Sequence, residues 1–255
     1  MNVSFRKNIF ISIAALIFSL LIGSYIIFNS DDKVLAQRFT EERRVPLQLD
    51  FVSQWNGGEV SGATAIDVGR ENSGTLLDGA TVASGRFGKA FKFHGMGPFI
   101  KMGNPASLNF GTGPFSLDVW FIGGIGGDSS IGNIIRKSNY PGDGNGAGYW
   151  LRIGASEGGR VLEFFTGETV GNPDQPRGRI TTPINSSTWY RVVATRDGAG
   201  TMKLYVNGEL KSAAKAPNAD TTSGAPFTLG AWDDRFGVRE FFSIFQVHPA
   251  GVFHT

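Results

Sequence analysis

The 255-residue chain contains no cysteine. It can therefore hold neither a disulfide framework nor a thiolate zinc site. Charged residues make up only 18 %, which argues against a long coiled coil. The 24 Lys+Arg and 22 Asp+Glu leave a net charge of +2, too little for a nucleic-acid footprint, so no nucleic-acid partner is expected. Histidine occurs three times, as His94, His248 and His254. The 36 glycines follow no Gly-x-y period, so the chain is not collagenous. Past Arg44 no apolar stripe of period 3.6 runs along the sequence. Without crossover helices, a βαβ fold is disfavoured.

What is present divides the chain. Arg6 and Lys7 precede an uncharged run over residues 9–28, and Asp31, Asp32 and Lys33 follow it. Twenty residues at ~1.5 Å each span ~30 Å, a hydrocarbon core's thickness. The positive flank comes first, so the remainder is expected outside the cytoplasm, membrane-anchored or secreted. Two readings stay open for residues 1–36: a single-pass signal anchor, or a signal peptide cleaved after Val34-Leu35-Ala36. Residues 37–45 read as a polar linker. The remaining chain is long enough for one large sandwich or barrel. Its apolar content, within an overall 41 %, opposes disorder.

Period two dominates that remainder. Phe115, Leu117, Val119 and Phe121 alternate with Ser116, Asp118 and Trp120. Tyr149, Leu151 and Ile153 alternate with Trp150 and Arg152, and Leu162 and Phe164 with Val161, Glu163 and Phe165. Tyr190, Val192 and Ala194 share a face, as do Met202, Leu204 and Val206. Turn residues separate these runs: Gly158-Gly159, Asp197 to Gly200, and Asn207-Gly208, a pair suited to the positive φ of a type I′ hairpin. Strands with such turns predict an all-β, antiparallel two-sheet sandwich behind one N-terminal apolar helix.

Four segments in order resemble a known family. They are Asp67 to Leu77 followed by Gly85 to Gly95; Ser107-Leu108 with Gly113 to Phe121; Trp189 to Gly208; and Thr228 to Gly230. Together they are similar to the laminin-G-like (LamG) jelly roll of the concanavalin A-like lectin/glucanase superfamily. The resemblance implies two stacked antiparallel sheets over residues 46–247, with 248–255 left as a tail. It also implies a possible structural Ca²⁺, for which Asp67, Asn72 and Glu240 match the family's positions. The sequence departs from the pattern at Phe93 to Ile100, where family acids are absent, and after Phe245.

Catalysis is not expected. A retaining glycosidase of this superfamily needs two carboxyl groups ~5–5.5 Å apart, and Glu163 stands alone on its strand. Gly154 to Gly158 matches G-x-S-x-G around Ser156, but that motif needs a helix after the serine, and a strand follows. Asp143 to Asn145 opens like a calcium-binding EF-hand loop, but lacks the later ligands. Gly123 to Asp128 resembles one calcium-binding nonapeptide, which cannot stack alone. Tyr140, Trp150 and Trp232 lie in or beside loops, where their rings would pack on sugar C–H faces. Asp143, Asn145, Asp233 and Asp234 would then accept hydroxyl hydrogen bonds. The sequence thus predicts an exported or membrane-anchored binding or adhesion module for glycan or protein. A carbohydrate-active hydrolase or its accessory domain, and a structural cell-envelope protein, are the alternatives.

Overall fold

The computed structural model describes residues 51–68, 72–93, 97–122, 132–138, 147–157, 159–167, 177–216, 219–234, 237–239 and 245–253. All fall in one compact unit, Asp50–Thr255. The apolar run 9–28 and the linker 37–45 lie outside the described residues. Among the described residues, no helix is long and apolar enough to cross a membrane.

In chain order the strands are β1 (Phe51–Ser61), β2 (Thr64–Asp67), β3 (Gly74–Leu77), β4 (Thr81–Ser84), β5 (Lys89–Phe93) and β6 (Phe99–Lys101). A short 3-10 turn at Ala106–Leu108 precedes β7 (Phe115–Ile122), β8 (Gly132–Ser138), β9 (Gly148–Ser156), β10 (Gly159–Gly167) and β11 (Arg177–Pro183). Then come β12 (Trp189–Arg196), β13 (Thr201–Val206), β14 (Glu209–Lys215), β15 (Thr228–Leu229), β16 (Trp232–Asp234), β17 (Gly237–Arg239) and β18 (Phe245–Phe253). Hydrogen bonds connect them in the order β11-β10-β9-β8-β15-β6-β3-β2-β1-β18-β7-β12-β13-β14, with β5 beside β18 and β4 beside β5. The pairs are antiparallel, as the alternation predicts.

This path folds over on itself, so that its two ends meet. A Cβ added to Gly178 in β11 would lie 2.3 Å from both the Ala216 Cβ and the Met202 Sδ; only glycine permits that approach. Strands β8 to β11 with β15, β6 and β3 form one layer. Strands β18, β7, β12, β13 and β14 form the other, and β1 and β2 turn the path between them. Aromatic contacts between the layers establish the packing. The Phe115 ring of β7 lies 4.9 Å from Tyr149 of β9 and 6.2 Å from Phe164 of β10. Leu117, Val119, Phe121, Leu151, Leu162, Val192 and Leu204 are buried in the same core. Each fully buried Phe or Leu contributes roughly 1.5–3 kcal/mol, enough for a fold without disulfides.

The turns follow the sequence signals. Asn207 (φ 53°) and Gly208 (φ 86°) take the two positive-φ positions of the β13–β14 hairpin. At the β12–β13 turn the Asp197 carboxylate accepts hydrogen bonds from the backbone N–H of Thr201 (2.7 Å) and Ala199 (2.9 Å). The Thr201 bond is the main reason its pKa lies below the usual carboxylate value.

The C-terminal end differs from expectation. Much of the expected tail, 248–255, belongs to β18, which pairs with β7 and β1 through Phe253. Pro249 lacks the N–H that a central strand needs. The strand accommodates it with a register shift between Val247 and Ala250, and pairing resumes beyond.

Candidate functional site

Antiparallel register turns alternate residues of each layer away from the core, so the sandwich has two outer faces. On β8 to β11 that face is closed. Arg136 lies opposite Trp150, Trp150 opposite Phe165, and Arg152 opposite Glu163. The Trp150 and Phe165 rings stack at 3.7 Å and 6°. The guanidinium of Arg136 sits 4.8 Å, and that of Arg152 5.5 Å, from the Trp150 ring centre. Glu163 is fully buried. Its Oε1 accepts hydrogen bonds from Trp150 Nε1 (2.9 Å) and Arg152 Nε (2.8 Å), and its Oε2 pairs with Arg179. One indole and two guanidinium groups thus balance a carboxylate removed from water, which is what a buried charge requires. Opposite Glu163 stand Arg152 and Thr181, and its own strand offers Val161 and Phe165. None of these supplies a second acid.

Two further buried cations serve the scaffold. Lys137 Nζ donates to Asn104 Oδ1 and to the carbonyls of Ser223 (3.1 Å) and Ala225 (2.9 Å). Burial lowers its pKa to about 8. Arg196 donates to the carbonyls of Ala219, Gly111 and Gly113 at 2.8–2.9 Å. These bonds tie the segment around 219–225 to β8 and β12.

On β7 and β12 to β14 the outer face is less buried among the described residues: Trp120, Trp189 and Tyr205 are half-buried, and Arg191 and Leu210 are exposed. Asp118, Val193, Tyr205 and Leu210 lie in one cross-strand row, Trp120 and Arg191 in the next, and Ile122 and Trp189 beyond. The β4–β5 hairpin is closed by the Gly85 N–H donating to the Gly88 carbonyl (2.8 Å). Its tip brings Arg86 and Phe87 onto this face. Phe87 meets Trp120 edge-on at 5.1 Å, and the Arg86 guanidinium lies 5.1 Å from the Trp120 ring centre and 5.5 Å from that of Phe87. Phe87 and Leu210 are each 53 % exposed. Arg191 donates to both Asp118 oxygens, from Nη2 at 2.8 Å and from Nε at 3.3 Å. That hydrogen-bonded fork raises the Arg191 pKa.

The predicted residues distribute unevenly over this frame. Trp150 is not an open platform as expected of it. It is 3 % exposed, because Phe165 and the arginines occupy its ring faces. Trp232, Asp233 and Asp234 form β16, paired with β17 in a separate two-stranded ribbon. Tyr140, Asp143, Asn145 and Glu240 lie outside the described residues. Asp67 and Asn72 do come together. The Asp67 oxygens accept hydrogen bonds from the N–H of Gln54 (2.7 Å) and Asn72 (3.2 Å), and Asn72 Nδ2 donates to Ser53 Oγ (2.7 Å) and Ser107 Oγ (2.9 Å). Ca²⁺ takes six to eight oxygens. Among the described residues, no three His, Cys, Asp or Glu side chains converge as a metal site; through the hydrogen bonds above, Asp67 and Asn72 clamp their loop. Ser156 is the exposed last residue of β9, and its Oγ donates to the Gly159 carbonyl (3.4 Å). Phe87, Trp120, Trp189 and Tyr205 were not foreseen as a site. Their signal is large aromatics at the outward positions of alternating strands and on a hairpin tip.

A laminin G family model, of the concanavalin A-like lectin/glucanases superfamily, matches residues 95–242. That is more than half of the chain, and the protein belongs to this superfamily. Comparison with curated proteins gives no match. Among solved structures, the binding domain of Paraclostridial Mosquitocidal Protein 1 is similar at 14 % identity and a TM-score of 0.59, over 80 % of this chain and 49 % of that one. The botulinum neurotoxin serotype D ligand-binding domain, solved with N-acetylneuraminic acid, is similar at 16 % identity and a TM-score of 0.56, over 81 % and 48 %. The binding domain of botulinum neurotoxin DC, solved with rat synaptotagmin II, is similar at 14 % identity and a TM-score of 0.58, over 81 % and 48 %. The chain spans about half the length of these domains, and at such identities the likeness is one of fold.

Proposed function

We infer that this protein is a non-catalytic binding or adhesion module that recognises a glycan or a protein outside the cytoplasm. One observation carries the reading: among the described residues, a sheet face of half-buried aromatic and exposed cationic side chains, with Phe87 more than half exposed. Large apolar side chains kept in water at one place are the usual mark of an interaction surface. Rigid strands hold the rings with little ordering cost on binding. The toxin domains of like fold, solved with a sugar acid and with a protein, support a partner of either kind. A hydrolase finds less support, because Glu163 accepts two hydrogen bonds, is ion-paired with Arg179 and has no acidic register neighbour. The leader over residues 1–36 would deliver the module to the outer side of a membrane or into the medium. A structural Ca²⁺ at Asp67 and Asn72, completed by Glu240, is a separate part of the proposal.

Glycan and protein arrays probed with the full chain test the function. Selective binding that Phe87→Ala abolishes is the expected result, and uniform absence of binding overturns the reading. Calorimetric titration with Ca²⁺ tests the metal. Heat together with a raised melting temperature is expected, and neither appearing removes Ca²⁺.

A further inference from the structure

We propose that Asn207 is a site of spontaneous covalent modification. In the folded protein its side-chain amide is attacked by the Gly208 nitrogen and lost as ammonia, leaving aspartate and isoaspartate at the β13–β14 turn. This chemistry is the chain's own and needs no partner. Three Asn-Gly pairs occur in the sequence, beginning at Asn56, Asn145 and Asn207. Asparagine is a thermolabile residue, and a following glycine places no side chain beside the attacking nitrogen. Residue pattern ranks the three pairs alike. Asn145 lies outside the described residues, and the structure separates the other two.

Both side-chain carbonyls are polarised by backbone donors. Asn56 Oδ1 accepts from the N–H of Gly58 (2.9 Å) and Glu59 (3.0 Å). Asn207 Oδ1 accepts from the N–H of Arg191 (2.9 Å). Such donors favour the negative charge that develops on the oxygen as Cγ is attacked. The difference is the freedom of the attacking nitrogen. Gly57 is buried within β1, and a Cβ there would lie 2.6 Å from the N, Cα and C atoms of Ala90 in β5. Its peptide cannot swing toward Asn56 Cγ unless β1 and β5 part. Asn207 and Gly208 are exposed, and a Cβ at Gly208 would meet nothing within 4 Å. The Val206–Glu209 pair flanks them, so rotation of the peptide between them disturbs the turn and leaves the strands paired.

The step balances with water alone. A solvent base takes the Gly208 N–H proton, and the nitrogen's electron pair forms a bond to Asn207 Cγ. The Cγ–Nδ2 bond breaks, and Nδ2 takes a proton from water and leaves as ammonia. Water then opens the succinimide ring. Opening at Cγ gives aspartate, and opening at the main-chain carbonyl gives isoaspartate, which lengthens the main chain of the turn by one methylene. Nothing is oxidised or reduced.

The test incubates the full chain in mildly alkaline ¹⁸O-water, folded and in urea, and follows its peptides by mass spectrometry. In the folded protein, heavy oxygen should enter at Asn207 at least about tenfold faster than at Asn56, since each ~1.4 kcal/mol of local opening slows a reaction tenfold. In urea the two rates should converge. Asn207→Gln should abolish conversion at the turn, because glutamine closes a larger ring more slowly. Equal rates at the two sites in the folded protein overturn the proposal. So does the absence of conversion at folded Asn207, or a tenfold difference that persists in urea.

Discussion

Trp150 and Trp120 occupy matching positions, each turned outward from a core-forming strand, yet their surroundings are opposite. Around Trp150 lie a stacked Phe165, two guanidinium groups and a buried carboxylate, and the ring is withdrawn from water. Around Trp120 lie a half-exposed Phe87, the Arg86 guanidinium and the Arg191–Asp118 pair at the surface. Both faces combine aromatics with arginine. The difference lies in the acid: buried, twice hydrogen-bonded and ion-paired on one face, part-exposed and forked on the other. A closed polar cluster stabilises one arrangement of its own groups. An open one leaves ring area and charge for another molecule. Composition cannot separate these two outcomes, whereas burial does.

The comparison breaks most severely at Glu163. Glu163→Ala leaves two arginines and the Trp150 N–H without their acceptor, and unfolding by urea should show a loss of about 3 kcal/mol. A loss below ~1 kcal/mol would mean the closed face is no structural cluster. Next comes pH. Burial holds Lys137 at about 8 in the folded protein, against its ordinary value of 10.5. Between these values the unfolded chain binds more protons, so stability should rise with pH through that window, by up to roughly 3 kcal/mol. Below pH 8 the group should contribute no slope. Lys137→Met should flatten the rise in a melting series. Trp150→Phe deletes one indole hydrogen bond to Glu163 and should cost about 1–2 kcal/mol by the same urea measurement. On the open face the effects should be smallest. Phe87→Ala and Arg191→Ala should each change stability by no more than about 1 kcal/mol, because exposed groups and surface ion pairs contribute little. Their effect belongs in binding instead.

The fold was legible because its signals are local. Alternation at Phe115 to Phe121 and Met202 to Val206 gave the core face directly, and Asn207-Gly208 gave its hairpin. The last strand was not legible, because Pro249 and an unfamiliar ending mask a strand whose pairing is entirely long-range. The site was legible only in kind. Aromatics were expected to matter, but Trp150 was expected to stand open, since its cover comes from β8 and β10, strands that only register brings beside it. Phe87 was overlooked for the converse reason. Its partner Trp120 is 33 positions away in sequence, and nothing local links a hairpin tip to the outer side of β7. Lys137 and Arg196 gave no warning either, because carbonyl cages are set by the path of the backbone and not by residue pattern.

The most direct measurement compares partner binding by Phe87→Ala and Trp150→Phe, using whichever array ligand the full chain retains. Loss by Phe87→Ala with retention by folded Trp150→Phe is the predicted result. Retention by Phe87→Ala with loss by an equally stable Trp150→Phe would contradict it and move the site to the opposite face.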